Sequence, residues 1–145
     1  MKAPRAGCDL AGGIQGIWKA RLGLDALPLE DGEPDPGRIL IAVVRPAGEP
    51  RTGLVLECPA ALARRAAAAL RGTEARLLSV DDVEDALREL ATAAGELIWS
   101  CRRRNRPQAA VVQDRRRRPR ASERPRLRRA VFACEGYVFR VTVVG

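Results

Sequence analysis

The stretch Ser79–Ser100, SVDDVEDALRELATAAGELIWS, constrains this chain more than any other. It keeps one helical period throughout and contains no proline. Val83, Leu87, Leu90, Ala94 and Leu97 recur at steps of three and four, and Ile98 widens the stripe, so one face must be buried. Ser79 with Asp82 three residues later forms a capping-box pattern, with Asp in place of Glu or Gln. The acidic first turn (Asp81, Asp82, Glu84, Asp85) suits the positive end of the helix dipole. Opposite the apolar stripe, Asp85, Glu89, Thr92 and Glu96 are spaced four, three and four, which stacks them into a narrow polar strip. Asp85 above Glu89 is a like-charge pair, unfavourable by a few tenths of a kcal/mol, about the amount such pairs cost.

The rest of the chain supplies partners for that helix. From Asp9 to Leu22, the residues Leu10, Ile14, Ile17, Trp18 and Leu22 repeat helically, with Asp9 as N-cap and Gly23 as C-cap. Gly12, Gly13 and Gly16 each cost up to ~1 kcal/mol relative to Ala, so this helix depends on tertiary packing. DGEPDPG (31–37) breaks the chain. RILIAVVR (38–45) is a continuous apolar run that predicts a strand buried on both faces. AGEP (47–50) turns, and TGLVLEC (52–58) predicts its partner strand. Pro59 then opens a helix over 59–71 that Gly72 ends. AVFACEGYVFRVTVV (130–144) predicts a hairpin turning at Glu135–Gly136. Together these elements predict an α+β fold in one domain spanning 1–145. It is an antiparallel sheet of strands near 38–45, 52–58, 130–134 and 137–144, with helices near 9–22, 59–71 and 79–101 packed on it.

Residues 102–129 differ in kind. They hold 13 arginines against Asp114 and Glu123, a local charge of +11, while the remainder carries −3 within the total of +8. QAAVVQ (108–113) has the makings of a short strand. DRRRRPRASERPRLRR beyond it has no apolar period and too little hydrophobic surface to offset its ordering entropy. Three readings of this insertion stay open: an electrostatic arm for nucleic acid or an acidic partner, which would make the chain a nucleic-acid-associated protein, a solvated insertion, or the translation of a frame-shifted stretch. The absence of interleaved aromatics argues against nucleic-acid stacking.

Composition narrows the chemistry. The chain has no histidine, which removes the commonest general base and the Ser-His and Cys-His pairs. Cys8, Cys58, Cys101 and Cys134 are widely spaced with no C-x-x-C, so they read as buried free thiols rather than a zinc site, and no metal or cofactor is expected. No apolar run nears 18 residues and the N-terminus has no apolar signal region, so the chain reads as cytoplasmic, with no membrane partner. Aromatics make up 3% of the chain, which predicts a core of Leu, Val, Ile and Ala.

DALRELATAAGEL resembles the signature helix of the CheX-like chemotaxis phosphatases (CheC/CheX type), which reads D-A-x-x-E-L-x-N-x-x-x-G. Asp85, Ala86, Glu89 and Leu90 match it. Thr92 stands where the family has Asn, and Glu96 where it has Gly, with Gly95 one place early. GIWKARLGLDALPLE resembles the family's first helix and turn. ILIAVVRPAGEPRTGLVLECPAALARRAAAAL resembles its hairpin and second helix, and VFACEGYVFRVTVVG its closing hairpin. The likeness covers roughly residues 10–100 and 127–145.

The resemblance implies a phosphorylated CheY-like receiver domain of a two-component pathway as partner. In the family the Glu of this helix pairs with the receiver's lysine, and the Asn holds a water in line with the aspartyl phosphate. Carried over, Glu89 and Thr92 are the candidate catalytic pair, and Asp85, Glu89 and Glu96 the candidate partner contacts. A Thr hydroxyl is shorter than a carboxamide, so the implied phosphoaspartate phosphatase activity is weakened. Whether the chain is an active enzyme or a non-catalytic receiver-binding module stays open, as does a homodimer of the kind family members form. The helical period itself is testable: Leu90→Ala is expected to cost about 2–5 kcal/mol in urea denaturation, as for a fully buried leucine that leaves a cavity.

Overall fold

The computed structural model describes residues 10–34, 36–48, 51–100, 111–113 and 127–145. In chain order the elements are α1 (Leu10–Leu22), β1 (Leu27–Leu29), β2 (Ile39–Val44), β3 (Gly53–Pro59), α2 (Ala60–Arg71), a 3-10 turn (Ala75–Leu77), α3 (Val80–Ser100), β4 (Val111–Gln113), β5 (Leu127–Cys134) and β6 (Tyr137–Val144). The strands form one sheet in the order β1-β5-β6-β3-β2-β4, every neighbouring pair antiparallel. The α+β class, the three helices and the four main strands therefore stand where the apolar periods put them.

One sheet face supplies Leu40, Ala42, Val44, Leu54, Leu56, Cys58, Phe132, Phe139, Val141 and Val143 to a single core shared with all three helices. Alternation along each strand explains the choice, since residues two apart share a face. On the other face, Glu57 and Arg140 sit directly opposite each other across β3 and β6, paired at 2.7 Å and almost fully buried. The guanidinium beside Glu57 is held firmly in its charged form, with burial opposing and the nearby Glu33 and Asp31 charges adding to it.

Several expectations change in detail. The scarce aromatics are central to the core: Trp18, Trp99, Phe132 and Phe139 are its largest fully buried side chains. Trp18 stacks on Phe139 at 4.5 Å between ring centroids, and Phe139 on Phe132 at 5.0 Å, which fastens α1 to the β5–β6 hairpin. A few large rings fill volume that a 3% content seemed to rule out.

Leu27–Leu29 adds an edge strand that the sequence did not announce, paired with Val131–Ala133. Both its leucines are exposed, so it carries no alternating pattern to read. β5 begins at Leu127 rather than 130, with Leu127–Arg129 paired to Thr142–Val144, and Val111–Gln113 pairs with β2. Two parts of the stretch read as an arginine-rich insertion, Val111–Gln113 and Leu127–Arg129, thus enter the sheet. The expectation of irregular chain at 114–126 lies outside the described residues, as do Asp9, Cys8 and Cys101. Pro59 closes β3 and caps α2 instead of sitting within it, its extended backbone (φ −56°, ψ 140°) marking the switch.

The turns follow their sequences. Gly72 takes the left-handed conformation (φ 67°) and ends α2 through its N–H to the Ala68 carbonyl. Glu135 and Gly136 both have positive φ, 52° and 83°, which is the turn geometry that matches the twist of a two-residue hairpin. Cys58 and Cys134 are free and buried, and burial drives the pKa of both thiols upward, Cys58 furthest. Burial thus disfavours the thiolate that reactivity needs.

Two helical glycines have opposite roles. A Cβ on Gly95 would lie 2.7 Å from the Trp99 ring and 3.2 Å from Val44, so its bare backbone is what lets α3 approach β2. Gly16 is exposed with nothing within 4 Å. Gly16→Ala is therefore expected to stabilise the protein by about 1 kcal/mol through helix propensity. Gly95→Ala should destabilise it by up to ~2 kcal/mol, because overpacking outweighs the same gain. Thermal melts of the two variants should shift in opposite directions.

Candidate functional site

The strip on α3 is positioned from its N-terminus. The capping box forms as the sequence suggests: Ser79 N–H donates to Asp82 Oδ2 at 3.0 Å, and Asp82 N–H to Ser79 Oγ at 3.1 Å. These contacts with Ser79, the backbone N–H first, hold the Asp82 carboxyl below its ordinary pKa. Just upstream, Arg64 Nη1 reaches from α2 to the carbonyls of Ala75 (3.0 Å) and Leu78 (2.8 Å). It thereby satisfies carbonyls of the connecting turn and ties the start of α3 to α2. Val83, Ala86, Leu87, Leu90, Ala91, Ala93, Ala94, Gly95, Ile98 and Trp99 are then buried. What remains in solvent along the middle of the helix is the polar strip.

Each residue expected on that strip is there. Asp85, Glu89 and Glu96 are exposed and Thr92 is half-buried, and the four line one shallow open groove of about 450 Å³ with Arg21, Arg71, Arg88 and Ala93. The like charges are not left facing one another. Arg88 Nη1 holds Asp85 Oδ1 at 2.6 Å, Arg71 Nη1 holds Glu89 Oε2 at 3.1 Å, and Arg21 Nη1 lies 3.9 Å from Glu89 Oε1. Glu96 has no ion-pair partner among the described residues.

The arginines are the part of the groove that sequence reasoning missed. Arg88 could have been found, three residues after Asp85 on the same helix. Arg21 and Arg71 could not, because they end α1 and α2 and meet Glu89 only through the packing of three helices. As last-turn cations they also complement their own helix dipoles. All these pairs are exposed, so each is worth about 0–1 kcal/mol and orients side chains more than it stabilises the fold.

No family model matches the chain, and no curated protein does. Solved structures do. The chemotaxis protein CheX from Desulfovibrio desulfuricans superposes with a TM-score of 0.68 at 13% identity, covering 92% of this chain and 94% of that one. CheX from Vibrio vulnificus gives 0.68 at 12% identity over 99% of both chains. A CheX from Borrelia burgdorferi, solved in complex with CheY, BeF3 and Mg, gives 0.63 at 10% identity over 93% and 94%.

The fold is that of the CheX/CheC-like chemotaxis proteins.

Within that fold, α3 is the helix whose sequence resembles the signature, and its solvent-facing strip carries Glu89 and Thr92 one turn apart. Gly95, one place early in the signature, is accounted for by its contact with Val44 and Trp99. Among the described residues, no cluster of His, Cys, Asp and Glu is placed to hold a metal ion, and no helix is long and apolar enough to cross a membrane.

The capping box gives a pH dependence. Because the Asp82 pKa is lowered on folding, its contribution is complete above the ordinary carboxylate range near 4 and is lost as pH falls through the lower folded value. Asp82→Asn should be less stable than the parent at pH 7. The difference should shrink toward zero as pH is lowered below about 4 in a series of denaturation curves.

Proposed function

We propose that this protein docks a phosphorylated CheY-like receiver domain through the α3 groove and acts on it as a weakened phosphoaspartate phosphatase in the cytoplasm. The observation that carries the reading is the juxtaposition of Glu89 and Thr92 on the open strip of α3, within a CheX/CheC-like fold. One such neighbour, the Borrelia CheX, was solved as a complex with CheY. Asp85 and Glu96 extend the acidic surface on either side and serve as further contacts.

The chemistry asks little of the protein. In hydrolysis a water oxygen bonds to phosphorus as the bond to the aspartate oxygen breaks, releasing inorganic phosphate and restoring the carboxylate. An acyl phosphate is already labile, so the gain comes from orienting the water and stabilising developing charge. Glu89 pairs with the receiver's lysine and fixes the pose. The Thr92 hydroxyl faces the phosphoryl group but is too short to hold an in-line water as an amide would. Thr92 and the arginine contacts of Glu89 also favour a second reading, a receiver-binding module without turnover.

Phosphate release from a phosphorylated receiver separates these. Thr92→Asn is expected to raise turnover by up to about 10²–10³, the range set by one positioned donor. Thr92 is half-buried, so a denaturation curve of the variant accompanies the turnover assay to separate a folding effect from a catalytic one. Glu89→Ala should weaken docking in both backgrounds. A Thr92→Asn variant that binds without added turnover would leave the binding-module reading. Variants that touch no receiver would overturn the assignment.

A further inference from the structure

The docking scheme above makes no use of the three arginines that line the groove with Glu89 and Thr92. Charge neutralisation alone would explain their presence, but their placement says more. Arg21 comes from α1, Arg71 from α2 and Arg88 from α3, and all three reach the same open surface. Against them stand three carboxylates, Asp85, Glu89 and Glu96. A groove whose positive and negative groups already lie side by side in exposed pairs, Arg88 with Asp85 and Arg71 with Glu89, complements an ion pair better than it complements a lone charge.

Arg71 is the best placed of the three. Its guanidinium meets only one oxygen of Glu89, at 3.1 Å, while Arg21 stands off the other oxygen at 3.9 Å. Arg71 is 37% exposed and Glu89 43%, so the contact is wet and exchanges readily. A guanidinium also presents a planar fork of donors that fits phosphoryl oxygens two at a time.

We propose that Arg71 is an anion-binding residue of the groove, which turns to the partner's phosphoryl group when Glu89 takes the partner's cation. The inference rests on the receiver reading above, in which one partner brings a lysine and an aspartyl phosphate side by side. Two ion pairs exchange partners. Glu89–Arg71 within this chain and lysine–phosphoryl within the receiver become Glu89–lysine and Arg71–phosphoryl. Drawing the lysine toward Glu89 would otherwise leave the phosphoryl oxygens short of positive charge. Arg21, on a separate helix, remains beside Glu89 and keeps it aimed through the exchange.

The test compares binding of a CheY-type receiver domain from the same genome, either unmodified or carrying beryllofluoride on its aspartate with Mg²⁺. The full chain is used as wild type, Arg71→Gln and Arg71→Lys. Arg65→Gln serves as a control, since Arg65 pairs with Glu135 outside the groove and makes the same change in net charge on the same helix. Wild type should prefer the beryllofluoride form. Arg71→Gln should lose about 10- to 100-fold in affinity for that form, the range for a hydrogen bond to a charged group, and keep or gain affinity for the unmodified receiver. Arg71→Lys should recover part of the loss, and Arg65→Gln should match wild type.

If wild type binds both forms equally, or Arg71→Gln retains the wild-type preference or weakens both forms alike, the anion role is wrong and the receiver reading still stands. If wild type binds neither form, the receiver reading fails and this inference fails with it.

Discussion

The structure depends on how much of α3 is taken out of water. The helix meets β2 and β3 on one side and α1 and α2 on another, and apart from Trp99 its buried residues are small or aliphatic, among them Ala86, Leu87, Leu90, Ala91, Ala93, Ala94 and Gly95. Each fully buried leucine there contributes ~1.5–3 kcal/mol, while the alanines and Gly95 contribute by letting neighbours come close. A helix buried over so wide an arc has few positions left that can change freely. The candidate site occupies that remainder. Asp85, Glu89, Thr92 and Glu96 form a strip on a rigid rod whose orientation is set by its buried sides, which is the arrangement that positioning chemistry requires.

The acidic strip also shows how tertiary packing changes the meaning of a local pattern. On an isolated helix, Asp85 and Glu89 repel each other. In the folded protein the last turns of α1 and α2 deliver Arg21 and Arg71 to Glu89, and Arg88 folds back on Asp85. None of these exposed pairs does much for stability. Their effect is on what the groove presents: a carboxylate held in place, arginines within reach, and a hydroxyl where a carboxamide would extend farther. The polarity of the groove is therefore a property of three helices meeting, although the residues aligned with the family signature all lie on one.

The sheet contributes by holding that meeting point. Trp18 on Phe139 on Phe132 couples α1 to the β5–β6 hairpin, and Arg64 couples α2 to the turn that precedes α3. Arg21 and Arg71 lie at the ends of helices anchored in this way. The reach of each arginine into the groove thus follows from contacts made elsewhere in the core.

The sequence by itself determined the elements whose information is local. Leu87, Leu90 and Ala94 share a face because a helix repeats every 3.6 residues, Ser79 and Asp82 cap because their spacing closes the box, and Glu135–Gly136 turns because two β-rich runs are separated by two residues, of which Gly136 takes positive φ without a Cβ penalty. The strip Asp85–Glu89–Thr92–Glu96 was legible for the same reason. Only the tertiary structure decided the rest. Leu27–Leu29 is a strand because β5 offers it an edge, with no burial pattern of its own to reveal it. Five aromatic residues looked too few to matter until four of them were brought to the centre of the core. Arg21 and Arg71 lie 50 residues apart in sequence and meet at Glu89 only once three helices pack, because a side-chain contact across elements depends on distances that no spacing along the chain encodes.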